Sequence, residues 1–248
     1  MTGFPGFDVL LARLASHQQP DIADLSRTAG IPEPELRAVL AGTVPSPSLL
    51  RRLAPALHLH AADLCVIAGV AVPDELAPLD VRAGGRVPYL VENAMSLPPE
   101  HRHRLRRLVR SLPQEKRTQP VHTPRAYEEY ERGFGGVLVR MLSNRNLGWV
   151  GTARTFLYLT GRYWSASTYG MVGHGRKELT PDLLVDFATV LGIPADTLSV
   201  LTGIDLPDGI PPRNPAVVDV AELMWEVRRL TVDQVGQVGD AARAMLRD

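Results

Sequence analysis

The 248-residue chain has one cysteine, two lysines, few aromatic residues (6%) and no net charge. A lone Cys65 excludes an internal disulfide framework and a cysteine-rich zinc site, and its apolar flanks at Leu64 and Ile67 mark it as a buried structural thiol. No stretch approaches the eighteen consecutive apolar residues of a membrane span. The amino terminus also has no cationic segment followed by an apolar run, so a soluble cytoplasmic protein is expected. With 27 basic residues against 27 acidic ones, any polyanionic partner must be held by a local basic patch, because the surface as a whole is not cationic. The scarcity of lysine, found only at Lys116 and Lys177, leaves arginine as the main cation. Its rigid donor fork suits phosphate, though a codon bias toward arginine produces the same excess.

Catalytic and metal patterns are missing as well. The pairs His58/His60 and His101/His103 lack the i, i+4 spacing and carboxylate or thiolate companions of a zinc site. The loop GHGRK lacks the spacing of a phosphate-binding loop, and neither a nucleophile elbow nor a nucleophile with its base is present. Neither an enzyme nor a cofactor is expected.

What the chain does contain is itself, twice. The segment starting at Leu49 aligns without gaps on the one starting at Leu183. Leu49, Leu50, Ala54, Leu57, Leu64, Gly69, Pro73 and Asp74 fall opposite Leu183, Leu184, Ala188, Leu191, Leu198, Gly203, Pro207 and Asp208. Upstream, Phe7, Leu10, Leu11 and Leu14 pair with Phe134, Val137, Leu138 and Met141. Both sets run i, i+3, i+4, i+7, an apolar stripe along a helix. Downstream, the segments from Leu97 and Leu230 each open a final helix with an acidic residue, Glu100 or Asp233, in the first turn. Between the copies, 113–126 is polar, proline-containing and aperiodic, and reads as a linker. The expected domains are therefore 1–112 and 127–248, with smaller connectors near 73–88 and 207–215.

Within the first copy the pattern predicts helices near 7–16, 22–29, 34–41 and 48–57, with a fifth opening near 61. Gly30 closes the second helix in a left-handed conformation. ADLSRTAGIPEPELRAVLAG followed by PSLLRRLAPALHLHAADL resembles the lambda-repressor-like (XRE) helix-turn-helix family over about sixty residues. The second copy repeats it, with Gly161 ending helix two and WSASTYGMVGHG forming helix three. The resemblance implies an all-α fold of two tandem helix-turn-helix domains, each with extra C-terminal helices. The second copy departs from the pattern in its turn, where Arg162, Tyr163 and Trp164 stand against Ile31 alone.

In that family the third helix enters the major groove of double-stranded DNA. Carried over by position, the first copy would present Glu33, Pro34, Glu35 and Ala38, whose carboxylates repel phosphate. The second would present Ser165, Ala166, Ser167, Thr168, Tyr169 and Met171 to base edges, with Arg162, His174, Arg176 and Lys177 placed for phosphates. Residues 134–177 contain six basic and no acidic side chains, whereas 1–80 contain nine acidic and five basic. A further basic helix, HRHRLRRLVR, either touches phosphate or simply leaves its arginines in solvent. The expectation is a nucleoid-associated transcriptional regulator, acting as a homodimer. The alternative is a protein-interaction module that keeps the fold without reading DNA.

Overall fold

The computed structural model describes residues 4–18, 21–121 and 126–247. Residues 122–125 of the expected linker lie outside that set. The described residues form fourteen α-helices and no strand. None of the helices is long and apolar enough to cross a membrane. The first copy supplies α1 (Phe7–Gln18), α2 (Ile22–Ala29), α3 (Glu33–Leu40), α4 (Pro47–Ala56), α5 (Ala61–Ala68), α6 (Val87–Met95) and α7 (Pro99–Ser111). The second supplies α8 (Phe134–Ser143), α9 (Trp149–Thr160), α10 (Ala166–Gly173), α11 (Pro181–Leu191), α12 (Ala195–Thr202), α13 (Pro215–Val227) and α14 (Val232–Met245).

Local chemistry explains why the two copies break at matching places. α4 and α11 start in the same way: the hydroxyl of Ser46 or Thr180 accepts the N–H of Leu49 or Leu183, and a proline follows at the first helical position. α2 and α9 both end on a glycine in the left-handed region, Gly30 at φ 64° and Gly161 at φ 72°, which lets the next helix depart at a steep angle. α14 opens with a reciprocal capping box between Thr231 and Gln234. The connector before α6 contains a 3₁₀ turn, Val81–Gly85, capped by the Asp80 carboxylate.

The copies embrace reciprocally: α1 of the first packs on α12 of the second, while α5 of the first packs on α8 of the second. Each contact carries a polar clasp. On one side Arg13 donates to the Leu201 carbonyl at 3.2 Å and His17 lies 3.6 Å from Asp196. On the other, Arg145 meets Asp63 at 2.9 Å with both side chains fully buried. The last two helices of each copy then form a four-helix bundle in which α6 and α7 each pack on both α13 and α14. A single apolar core runs through everything, joining Leu50, Leu53 and Leu64 to Leu138, Phe156 and Phe187 and on to Val91, Val220 and Val238. Each such aliphatic or aromatic side chain contributes about 1.5–3 kcal/mol by leaving water.

The bundle also resolves the arginine-rich helix. Arg102 pairs with Asp219 at 3.0 Å, while Arg106 and Arg110 reach Glu226 at 2.8 and 2.6 Å. These three hold α7 to α13 of the other copy, although Arg110, like Arg104 and Arg107, remains exposed. Cys65 is buried, and desolvation raises its thiol pKa.

Candidate nucleic-acid interface

α10 is set at the surface by the turn that follows Gly161. Its inward face is anchored by Tyr169, 1% exposed, whose ring lies 4.7 Å from Phe156 and 6.3 Å from Phe187. Two glycines let neighbouring helices approach its back. A Cβ on Gly170 would stand 2.7 Å from the Trp149 ring, and one on Gly173 would stand 2.6 Å from the Tyr130 ring. The outward face carries Ser165, Ser167 and Met171, the last 41% exposed, with Ala166 half-buried between them. Ser167 and Met171 are four residues apart and share that face.

Two expected base contacts are corrected by this geometry. Tyr169 is two residues from Ser167, about 200° around the helix, and is committed to the core. Its buried hydroxyl has its pKa raised by desolvation and by the nearby Asp186 carboxylate. Thr168 is 7% exposed, and its hydroxyl lies 3.0 Å from that of Ser165, which also bonds Ser167 at 3.0 Å.

The four expected phosphate contacts separate. Arg176 is exposed, and its guanidinium has no hydrogen bond or ion pair among the described residues. Arg162 is exposed but lies 3.6 Å from Asp182 and 3.7 Å from Asp186. Lys177 places its ammonium 4.8 Å from the centre of the Trp164 ring. His174 donates from Nε2 to the Tyr127 carbonyl at 3.0 Å and packs edge-on against Tyr130. That ring nitrogen is therefore occupied, and His174 fastens the end of α10 to the segment preceding α8. Arg145, one of the six basic residues of 134–177, is part of the core and adds nothing to the surface field.

The matching surface of the first copy carries carboxylates, each paired with an arginine. Glu35 and Pro34 are exposed on α3, Glu33 is held by Arg37, and Arg52 of α4 binds Glu35 at 3.3 Å and the Gly30 carbonyl at 3.0 Å. The repeat aligns Arg52 with Asp186, a buried carboxylate on α11 beneath the turn into α10. Burial pushes the Asp186 pKa up to about 6, against the pull of Arg162 and the Trp164 indole N–H. Sequence reasoning passed over this residue, yet the substitution of acid for base at matched positions was visible in the alignment.

Among the described residues, no three His, Cys, Asp or Glu side chains converge as metal ligands. His60 instead stacks on Trp225 at 3.6 Å between ring centres, and burial lowers its pKa to about 4, so the ring is neutral near pH 7. Compared with protein-family models, with curated proteins and with solved structures, the chain returns no match.

Proposed function

We propose that the protein is a sequence-selective binder of double-stranded DNA, a transcriptional regulator of the lambda-repressor-like helix-turn-helix kind, with α10 entering the major groove. The observation that supports this most is the outward face of α10. Its hydroxyls, Ser165 and Ser167, can donate or accept at base edges, and Met171 can pack on a thymine methyl. The unpaired Arg176 stands beside it for a phosphate. Arg162 and Lys177 are weakly held by neighbours and can exchange those contacts for phosphate oxygens. The first copy, with carboxylates on the corresponding surface, acts as a structural partner in this reading. A homodimer would display two α10 helices.

The test is fluorescence anisotropy on genomic fragments, including the region upstream of the coding sequence, over a range of salt. R176A/K177A should weaken binding to all sequences and reduce the salt slope by roughly 1–2. S167A or M171A should instead change which fragment is preferred. If R176A/K177A binds every fragment as the wild type does, α10 is not the reading helix.

A second reading is favoured by exposed apolar groups around the same helix, namely Leu157, Tyr163 and Met171. They suit a protein partner, and failure to bind any fragment at low salt would assign the surface to that role.

A further inference from the structure

A cavity of about 1220 Å³ lies on the seam between the two copies, larger than the roughly 300–1,000 Å³ of ordinary small-molecule pockets. Its walls are mainly apolar. Val66 and Val70 at the end of α5 and Leu79 in the connector face it from the first copy, while Val137, Tyr130 and Trp149 face it from the second. Among the described residues the charges around it are unbalanced: Arg117, Arg132 and Arg140 line it, against one acid, Glu128.

Arg117 is a structural member of this set, since its guanidinium donates to the carbonyls of Asp74, Ala77, Pro78 and Leu79. The other two differ. Arg132 is exposed and has no side-chain partner among the described residues. Arg140 is half-buried, and among the described residues its guanidinium donates only to the Tyr130 carbonyl. Desolvation pulls the Arg140 pKa down against the effect of Tyr130, with the charge of Arg132 adding to the fall, and the Arg132 guanidinium lies 3.5 Å from where a Cβ on Gly69 would stand, at the end of α5. An anion reaching both would offset the hydration that Arg140 loses on burial.

We propose that this cavity binds an amphipathic carboxylate, its apolar body against the Val66, Val70, Val137 and Trp149 wall and its anionic end on Arg132 and Arg140. The same aromatic wall seats α10: Trp149 presses on Gly170, Tyr130 on Gly173, and the Tyr127 carbonyl holds His174. A bound acid that moves either ring therefore shifts α10. That consequence rests on the DNA-binding reading, whereas the binding site itself does not.

The experiment uses the full chain without DNA. Isothermal titration and tryptophan fluorescence are run with sodium decanoate, 2-naphthoate, decan-1-ol and decyltrimethylammonium. Saturable one-to-one binding of at least one carboxylate is expected, at least about tenfold tighter than the alcohol or the ammonium. Arg132→Gln should weaken that binding about tenfold with an unchanged melting temperature, and Arg132→Lys should restore part of it. Val70→Trp, which fills the cavity, should abolish binding while the far-UV spectrum stays helical. No saturable binding of either acid, equal affinity for the ammonium, or full affinity in Arg132→Gln would each overturn the proposal. DNA titrations repeated at saturating acid then test the coupling separately: unchanged DNA affinity would remove the effect on α10, and absence of DNA binding would leave the cavity result standing.

Discussion

The buried clasp between Asp63 and Arg145 gives the sharpest measure of how far the two copies depend on each other. Both side chains are fully buried. Asp63 Oδ2 accepts from Arg145 at 2.9 Å, while Oδ1 accepts from Arg145 at 3.1 Å and from Asn144 at 2.8 Å. Asp63→Ala removes all three bonds and leaves a guanidinium in the core with only the Met141 and Leu191 carbonyls, at 2.8 and 2.5 Å. Breaking one side of such a pair costs about 3–5 kcal/mol. For a chain of this size each kcal/mol corresponds to about 2–4 °C, so a fall in Tm of about 6–20 °C is expected. Asp63→Leu combined with Arg145→Met removes both charges and should cost far less, because a buried ion pair is roughly neutral against a well-packed apolar replacement. Urea unfolding followed by circular dichroism, and in parallel by tryptophan fluorescence, measures both variants. Trp225 reports on the clasp directly, since the Arg145 guanidinium lies 5.2 Å from its ring centre. Because one core spans both copies, the two probes should trace one transition. A loss below about 1 kcal/mol for Asp63→Ala, or a double variant as damaged as the single, would refute the assignment of this pair as the seam's polar anchor.

Asp186 predicts a pH dependence. Its folded pKa of about 6 exceeds the ordinary carboxylate value, so the native state holds the proton more tightly than the unfolded chain. This contribution to stability is present below about pH 4 and is lost as pH rises through about 6. Asp186→Asn should therefore gain in urea midpoint relative to wild type between pH 4.5 and 7.5, and an identical difference at both values would contradict the reasoning. Gly135 of α8 tests the seating of α10: a Cβ there would collide with the backbone carbonyl of Val172, which no rotamer change can relieve. Gly135→Ala should lose about 1–3 kcal/mol. Gly239→Ala in α14, where a Cβ meets open space, should gain up to about 1 kcal/mol from helix propensity. Equal effects of the two alanines in thermal melts would show that contact with α10 is not what Gly135 protects.

Local features were readable from the chain, and long-range ones were not. The spacing at Phe7, Leu10, Leu11 and Leu14 located α1, and Gly30 located the end of α2, because helical periodicity and left-handed glycine depend on near neighbours. The aligned pattern passed over α6 and α13, which carry no matched residues to announce them. The polar pairings were hidden for a related reason. Arg145 sits 82 residues from Asp63, and Arg106 sits 120 residues from Glu226, so a count of basic residues along 134–177 or along α7 could not tell a core ion pair from a surface charge. Tyr169 was carried to the outer surface by its position in the family's reading helix, and α10, short and built of small and mixed residues, offered little to say otherwise. Such a helix shows little amphipathic signal, and only the rings of Phe156 and Phe187 decide which side is inside.

The reciprocal packing has a consequence for how a duplex would be met. α1 on α12 and α5 on α8 give one chain the approximate two-fold arrangement that a symmetric dimer obtains from two chains. The chemistry on the two outer surfaces does not follow that symmetry. Counted from their first residues, Pro34 and Ala38 of α3 correspond to Ser167 and Met171 of α10, and all four are exposed. Glu35, exposed on α3, corresponds to the inward-turned Thr168. Beneath the helices, Arg52 and Asp186 exchange sign at matched positions. Two unlike surfaces related by a pseudo-two-fold cannot both favour the same half-site, and a carboxylate facing phosphate disfavours any site at all. On the DNA-binding reading, a single chain then protects one half-site, and an inverted repeat in the target implies a second chain. A footprint over one non-palindromic half-site fits one active α10 per chain. Equal protection of two half-sites by a protein that sediments as a monomer requires α3 to bind as well, with its Glu35 held by Arg52.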